Sequence, residues 1–358
     1  MLSYLSAPIG ASIEITKDCN LKCLYCFQGS RQEGIELSTH EICSLIDELA
    51  RMKVFTLFLG GGEPLMQKDF FQIADYAINR GLEVGFSTNG TLINHSVAKE
   101  IFRKKLGRGL QVSLDGSCPK THDALRGEGN FNKTLQGIRN LVSCGIHPSV
   151  AVTVTNHNIF DIPNIVSLAK VEKIRHVHIM CLLPAGFAKE VYGQLDPSIK
   201  NWKTLKKTLV ELAQKVKGKL TLDWGNRCYE PPTLDFSEKD YSSVDKAFAG
   251  CPAGKTKAVI DCFGDVYGCD VLKDTSYNAG NVRERSFKDI WDNSDVFIAW
   301  RNRVADRIEG ECSKCKWNFA CVGGCPAMAI HHGNDICSSD PSCPINQYAR
   351  KGISQLRL

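Results

Sequence analysis

From Ile9 to about Pro184 two hydrophobic rhythms alternate along the chain, repeating about every 30 residues. Short apolar, β-branched runs have the length and composition of buried strands: "IGASIEIT", "VFTLFLGG", "LEVGFSTNG", "LQVSLDG", "SVAVTVTN" and "HVHIMCLLP". Between them apolar residues recur at helical spacing. In "LSTHEICSLIDELARMK", Ser38 and Glu41 form a capping-box signature, and Ile42, Leu45, Ile46 and Leu49 make one stripe. "FFQIADYAINRG", "SVAKEIFRKK", "FNKTLQGIRNLVSCG" and "IPNIVSLAKVEK" read the same way. Regular alternation predicts parallel strands joined by right-handed helical crossovers. Six such units are too few for a closed eight-stranded barrel. The pattern therefore predicts an α/β fold, a partial (β/α)6 TIM-like barrel over residues 1–195, with its chemistry at the C-terminal strand ends.

After Leu195 the texture changes, and residues 196–250 read as a helical bridging region. It opens with "KNWKTLKKTLVELAQKVKGK", where apolar and basic residues alternate at helical spacing; this is a solvated helix face rather than a nucleic-acid patch. The following "LTLDWGNRCYEPPTLDFSEKDYSSVDKAF" is irregular and polar. Residues 251–358, dense in cysteine and glycine, read as a small cysteine-rich α+β domain. Long apolar runs are scarce there, so metal ligation is expected to supply part of its stability.

Composition adds one outlier. The 358 residues are 43% hydrophobic and 23% charged with a net charge of +5, ordinary values for a globular protein and too mild to indicate a nucleic-acid partner. No apolar run reaches the length of about 18 that a membrane helix needs, and the N-terminus lacks the basic start and apolar core of a signal peptide. A cytoplasmic location is the expectation. The outlier is cysteine: seventeen of them. Without an export signal they argue against a disulfide scaffold and for metal or cluster ligation, with Cys43, Cys144 and Cys181 in apolar patterns as core filler.

The first candidate site is "DCNLKCLYCF", Asp18–Phe27, in which Cys19, Cys23 and Cys26 follow the first strand at C-x-x-x-C-x-x-C spacing. A zinc site is one reading of such spacing. A structural metal site closes its coordination, whereas a reactive one keeps a position open. A [4Fe–4S] cluster held by three thiolates leaves one iron for a small chelating molecule. The loop resembles that of the radical S-adenosylmethionine (radical SAM) enzymes, whose reduced cluster gives one electron to the sulfonium of SAM, yielding methionine and a 5′-deoxyadenosyl radical. The resemblance extends along the alternating region. "GGGEP" ends the second strand where the family has its GGE motif, so Gly61, Gly62 and Glu63 are expected to offer backbone polar groups to the methionine amino group. "STNG" with Ser87 and Asn89, and "SLDG" with Ser113 and Asp115, end the next two strands. Arg126 in "HDALRG" resembles the basic residue that pairs with the SAM carboxylate, Asn156 in "TVTNHN" one that reaches the ribose or carboxylate, and Tyr25 the aromatic near the adenine. Taken singly, these are turns, caps and a surface arginine; in order on successive strand ends they form a cofactor mouth.

A second constellation comprises Cys251, Cys269, then Cys312, Cys315, Cys321 and Cys325 in "ECSKCKWNFACVGGC", and Cys343 in "DPSC". It resembles the seven-cysteine SPASM extension of radical SAM enzymes, which holds two auxiliary iron–sulfur clusters. The resemblance implies three [4Fe–4S] clusters in all. Cys312, Cys315, Cys321 and Cys343 would hold the second auxiliary cluster, with Cys337 a less favoured stand-in for Cys343. Cys251, Cys269 and Cys325 would hold the first, an interleaving like that of two-cluster ferredoxins. "PAGKTKAV" supplies no fourth ligand, so the first auxiliary cluster has an open iron or takes Cys262; the place of Cys262 at a hairpin turn favours the open iron. A zinc ribbon over Cys312–Cys325 is the alternative. His331 and His332 are read as structural.

The resemblance points to a maturase that oxidatively modifies a ribosomally made peptide or protein residue by a thioether, carbon–carbon or carbon–oxygen bond. Asp270, directly after Cys269, resembles the general base of the anaerobic sulfatase-maturating branch, or else orients a cluster loop. The absent ligand after Cys251 weighs against that branch, and "CPAG" looks closer to maturases of ribosomal peptides and of pyrroloquinoline quinone. Formylglycine formation, tetrapyrrole (haem) side-chain modification and simple electron carriage are the competing readings. Expected partners are a peptide or protein substrate and a flavodoxin- or ferredoxin-type electron donor, with no nucleic acid and no membrane. The chain begins almost at its first strand, so the leader peptide is expected to be read by a separate leader-peptide-binding protein or by the barrel mouth itself.

Overall fold

The computed structural model describes residues 4–28, 34–224, 249–273 and 276–343. The chain divides into two compact units, one of 10–225 with 260–264 and a smaller one of 1–9, 226–259 and 265–358.

The larger unit carries the six expected strands: β1 (Gly10–Glu14), β2 (Thr56–Gly60), β3 (Glu83–Thr88), β4 (Gly109–Ser113), β5 (Ser149–Val154) and β6 (His176–Cys181). The crossovers are α1 (Thr39–Arg51), α2 (Phe70–Asn79), α3 (His95–Arg103), α4 (Pro119–Arg126) with α5 (Asn130–Ser143), and α6 (Ile162–Val171). Two helices follow β6, α7 (Ala188–Leu195) and α8 (Ile199–Val216). They lead to β7 (Thr221–Trp224), which the sequence reading left as irregular chain. It escaped because four half-exposed residues of mixed polarity carry no apolar run; pairing with β6 makes it a strand. The polar stretch after Trp224, including Cys228, lies outside the described residues up to Ala249.

Strands β1 to β7 neighbour one another in sequence order and all run parallel, as in a partial barrel. Alternation divides the residues between two faces. Leu57 and Leu59, Leu110 and Val112, Val150 and Val152, and Val177 and Ile179 are buried and form the apolar face. Phe86 on β3 meets the Phe70 ring of α2 edge-on, which places that face under the helices. The opposite face carries mostly small and polar residues, Ser12, Glu14, Gly60, Gly85, Ser87, Gln111, Ser113, Thr153, His176 and His178, with Phe58 and Met180 among them. A face of this composition suits a polar ligand better than a helix. The capping box of α1 is present in both directions, Ser38 Oγ accepting from Glu41 N and Glu41 Oε2 accepting from Ser38 N.

In the smaller unit β8 (Lys257–Ile260), β9 (Asp265–Tyr267) and β10 (Gly280–Asn281) neighbour in the order β10-β9-β8. They are followed by α9 (Phe287–Asn293), α10 (Asp295–Asn302), α11 (Asn318–Cys321) and α12 (Pro326–His331). The sequence reading expected little apolar packing here. Phe287, Trp291, Phe297 and Trp300 nevertheless form a buried aromatic group, none more than 1% exposed. Aromatic residues supply in four side chains what long aliphatic runs supply elsewhere. Among the described residues no helix is long and apolar enough to cross a membrane.

Removing the cap tests the local reading. Ser38→Ala is expected to destabilise the larger unit by about 1 kcal/mol, seen as a lower denaturation midpoint and faster amide exchange in the first turn of α1.

Candidate active site and cluster ligands

The three-cysteine loop leaves β1 and is tied down along its length. Gly62 N donates to Thr16 O and Glu63 N to Asp18 O, both at 2.8 Å; Leu24 N donates to Leu125 O at 2.8 Å, and Phe187 N to Cys26 O at 2.9 Å. The glycines of "GGGEP" follow from this approach. A Cβ on Gly61, whose φ is +125°, would lie 2.2 Å from Thr16 O, and one on Gly62 would lie 2.2 Å from Asp18 O. Cys19, Cys23 and Cys26 lie close enough to act electrostatically on one another. Burial pushes the Cys23 thiol up to about 11, against the pull of Arg126.

Beneath the loop lies a buried polar triad. Asp115, fully buried at the end of β4, accepts on Oδ2 from Tyr25 Oη and Arg126 Nε, and on Oδ1 from Thr153 N at 2.8 Å. Arg126 Nη2 donates to Tyr25 Oη at 2.6 Å, and Nη1 lies 3.8 Å from Cys23 Sγ. Burial opposes the Arg126 charge, but Asp115 and Tyr25 hold its pKa well above the ordinary value. His122, absent from the sequence expectations, accepts from Asp115 N through Nδ1 at 3.2 Å, so its proton sits on Nε2. Burial, then the nearby Arg126, depress it to about 4, and it stays neutral.

A second buried carboxylate, Glu63, organises the neighbouring strand end. Its Oε1 accepts from Thr88 Oγ1 at 2.8 Å and Leu65 N at 3.2 Å, and its Oε2 from Asn89 N at 2.7 Å. Burial raises its pKa, with these hydrogen bonds working the other way. Asn89 turns its amide into the cysteine loop, donating to Asn20 Oδ1 at 2.8 Å and contacting Cys19. The Gly61 carbonyl accepts from Gln28 Nε2 at 3.0 Å. Ser87 and Ser113 stand half-buried on the polar face of the sheet. Asn156 is exposed and donates to Gln194 O and Asp196 O, at 2.9 and 3.2 Å. The neighbouring Asn158, which the sequence reading passed over, is the buried one. It donates to Asp115 O and Thr153 O, both at 2.9 Å, and fixes the end of β5.

In the smaller unit several cysteines lie near one another. Cys321 feels Cys343, Cys312 and Cys315, and burial pushes it up to about 11. Cys269, pushed to about 11 by burial, feels Asp270 and Cys251; Cys251, Cys325, Cys337 and Cys321 all act on Arg303. Asp340, also missed from sequence, ties Cys325 to the turn before Cys343: Oδ2 accepts from Cys325 N and Oδ1 from Ser342 N and Oγ. Arg303 and Lys255 are buried among these thiols. Their hydrogen bonds run to backbone carbonyls, Arg303 to Ile336 O and Gly324 O, Lys255 to Ala249 O and Arg303 O. Asp270 Oδ2 accepts from Lys257 Nζ at 3.0 Å. His331 and His332 contact the carbonyls of Val271 and Met328.

These donor sets fit iron–sulfur clusters. Each brings sulfur to sulfur, and buried cations close to the thiols favour the thiolate that a cluster requires.

The comparisons with known proteins follow the same division. Residues 13–169 match the family model described as the radical SAM superfamily, and residues 251–316 match that of SPASM, an iron–sulfur cluster-binding domain. The mycofactocin maturase MftC of Mycobacterium ulcerans (strain Agy99) is 33% identical over 360 residues, covering 99% of this chain and 92% of its own. An AdoMet-dependent heme synthase of Methanosarcina barkeri (strain Fusaro / DSM 804) is 30% identical over 356 residues, covering 96% and 98%. Streptococcus suis SuiB bound to S-adenosylmethionine superposes with a TM-score of 0.77 at 19% identity, over 95% of this chain and 78% of that one. This last likeness speaks for the fold.

Two substitutions separate charge from packing at the triad. Asp115→Asn strands the Arg126 charge and is expected to destabilise the larger unit by about 3–5 kcal/mol in urea unfolding. Tyr25→Phe, which removes one hydroxyl, is expected to cost about 1 kcal/mol. Equal losses would show that the ion pair is not the dominant contribution.

Proposed function

The chain belongs to the radical SAM superfamily and carries its SPASM extension; on that premise we propose that it oxidatively modifies a residue of a ribosomally made peptide, forming a thioether, carbon–carbon or carbon–oxygen bond. The observation that carries the reading is the end-to-end likeness to the mycofactocin maturase MftC in a chain whose loop thiols Cys19, Cys23 and Cys26 lie close together. A SuiB structure bound to its precursor peptide SuiA superposes over 95% of the chain, so the fold is one that admits a peptide.

In this reading Cys19, Cys23 and Cys26 hold a cluster with one open iron, where SAM docks. When bound, cluster and SAM together supply a one-electron cleavage and, from it, a hydrogen-abstracting adenosyl fragment. The chain's own residues do the positioning. Gly61, Gly62 and Glu63 bring backbone polar groups to the cofactor's amino end. Ser87 and Ser113 offer hydroxyls from the polar face, and Asn156 lies farther out at the rim. Tyr25, Asp115, Arg126 and Asn89 act mainly by fixing the loop, with the Arg126 guanidinium turned toward Cys23 and available to a carboxylate there. Cys312, Cys315, Cys321 and Cys343 hold one auxiliary cluster, and Cys251, Cys269 and Cys325 the other, giving three. The residues just after Cys251 offer no fourth thiol, which supports an open iron on the latter. Asp270, held by Lys257, would serve as the base that accepts a proton from the substrate, and an auxiliary cluster, when bound, would supply the electron acceptor. A flavodoxin- or ferredoxin-type protein supplies the electrons.

The heme synthase likeness, equally end to end, keeps tetrapyrrole side-chain modification as the second reading. Anaerobic co-expression with a candidate precursor peptide decides between them. Loss of two hydrogens from the peptide, about 2 Da by mass spectrometry, is expected; an unchanged peptide alongside a modified tetrapyrrole would reverse the assignment.

Replacing Cys19, Cys23 and Cys26 together with alanine is expected to abolish 5′-deoxyadenosine formation and leave about eight irons per chain at most. Asp270→Asn is expected to keep SAM cleavage while slowing peptide product by roughly 10²-fold or more. An unchanged product rate would confine Asp270 to orienting the loop.

A further inference from the structure

We propose that His176, His178 and Asp223 form a binding site for one divalent first-row transition metal ion, distinct from the cysteine sites. The two histidines stand at alternate positions of β6, so both project from the polar face, while Val177 and Ile179 between and after them are buried on the other. β7 pairs with β6 in parallel, in a register that sets Asp223 directly beside His178. Each carboxylate oxygen meets one imidazole: Oδ2 lies 2.5 Å from His176 Nε2, and Oδ1 contacts His178 Nδ1. One ligand atom from each residue lies within 4.8 Å of the other two. Three donors converge on hydrogen-bonded strands rather than on loops, the rigid arrangement that metal affinity rewards.

The donor chemistry narrows the ion. Two imidazole nitrogens and one carboxylate suit zinc, iron or manganese, whereas thiolates select clusters. One carboxylate offsets part of a dication's charge, and the partly exposed setting leaves the remainder to solvent or a small anionic ligand. Three protein ligands leave at least one coordination position open. His176, His178 and Asp223 are about one-third to one-half exposed, so an ion can enter and a small oxygen ligand can complete its shell. Across the sheet His178 shares a row with Ala151 and Ser113. At a strand spacing of about 4.8 Å, Ser113 lies roughly 10 Å from His178, with only the small Ala151 between them. The open position therefore borders the same polar face that Ser87 and Ser113 line.

Zinc is the probe. The cluster-loaded protein is equilibrated anaerobically with Zn²⁺, desalted, and its bound zinc counted by elemental analysis and characterised by zinc K-edge absorption. About one zinc per chain is expected, surrounded by nitrogen and oxygen at about 2.0–2.1 Å. His178→Ala and Asp223→Asn are each expected to lose at least nine-tenths of that zinc while keeping full iron content and cluster absorbance. Asp223→Asn preserves shape and strand pairing, so the test stands even if His178→Ala folds poorly. Absence of zinc from the wild type, zinc bound by sulfur at about 2.3 Å, or zinc retained in Asp223→Asn would each overturn the site. The first of these outcomes would leave a hydrogen-bonded His–Asp–His group without an ion.

Discussion

The Asp115 carboxylate is the point on which the mouth of the larger unit depends. It is fully buried, and a buried carboxylate survives only where cations and donors surround it. Arg126 and Tyr25 converge on one oxygen, Thr153 N on the other, and His122 and Asn158 hold its backbone. These partners come from α4, the β5 strand and its following turn, and the cysteine loop. One charge just past β4 thus ties three segments far apart in sequence to that strand's end, and the segment nearest the chemistry, Cys23 to Cys26, is held from below by the same group. Tyr25 also packs with Leu125, Leu182, Ala188 and Leu195, so α7 closes over the loop from another side.

Glu63 repeats the device one strand away, using donors instead of a cation. The polar residues at the strand ends therefore divide into two kinds. Asp115, Glu63, Asn89, Asn158 and His122 spend their hydrogen bonds on backbone and on neighbouring side chains. Ser87 and Ser113, half-buried on the polar face, keep hydroxyls toward the space the sheet encloses. Preorganisation of this sort lets a loop with three reactive thiols hold its shape before any ligand arrives.

The barrel strands were legible because burial on a parallel sheet selects β-branched runs, and the amphipathic crossovers repeat between them. β7 was not, since its four residues gain their strand character from β6 rather than from their own pattern. Site positions were legible as motifs, but the partners of each side chain were not. In "TNHN" the sequence gives no sign that Asn158 turns inward while Asn156 faces outward; that depends on the turn after β5. Asp340 and Arg303 look like ordinary charged residues until the fold sets them among cysteines. His176 and His178 read merely as strand positions, because their partner Asp223 arrives through a register 45 residues away.

The smaller unit poses the converse problem in Lys255 and Arg303, two buried cations with no carboxylate partner among the described residues. Lys255 is buried and depressed to about 8, first by burial and then by Arg303, while nearby Cys251 pulls the other way. Arg303 is likewise lowered by burial, and Cys251, Cys325, Cys337 and Cys321 oppose that. Carbonyl dipoles satisfy the hydrogens of these cations but leave net positive charge in a low dielectric. Thiols carry no compensating charge until they lose their protons, and cluster ligation removes those protons. If these cysteines hold clusters as proposed, loading would do two things at once: close coordination and supply an anionic partner for two buried cations that have none among the described residues. Backbone strain points the same way. Val322, a β-branched residue, sits at φ +49° between Cys321 and two glycines that also have positive φ. Such a conformation is held against its own preference, and ligation of Cys321 and Cys325 on either side of it would help to hold it there.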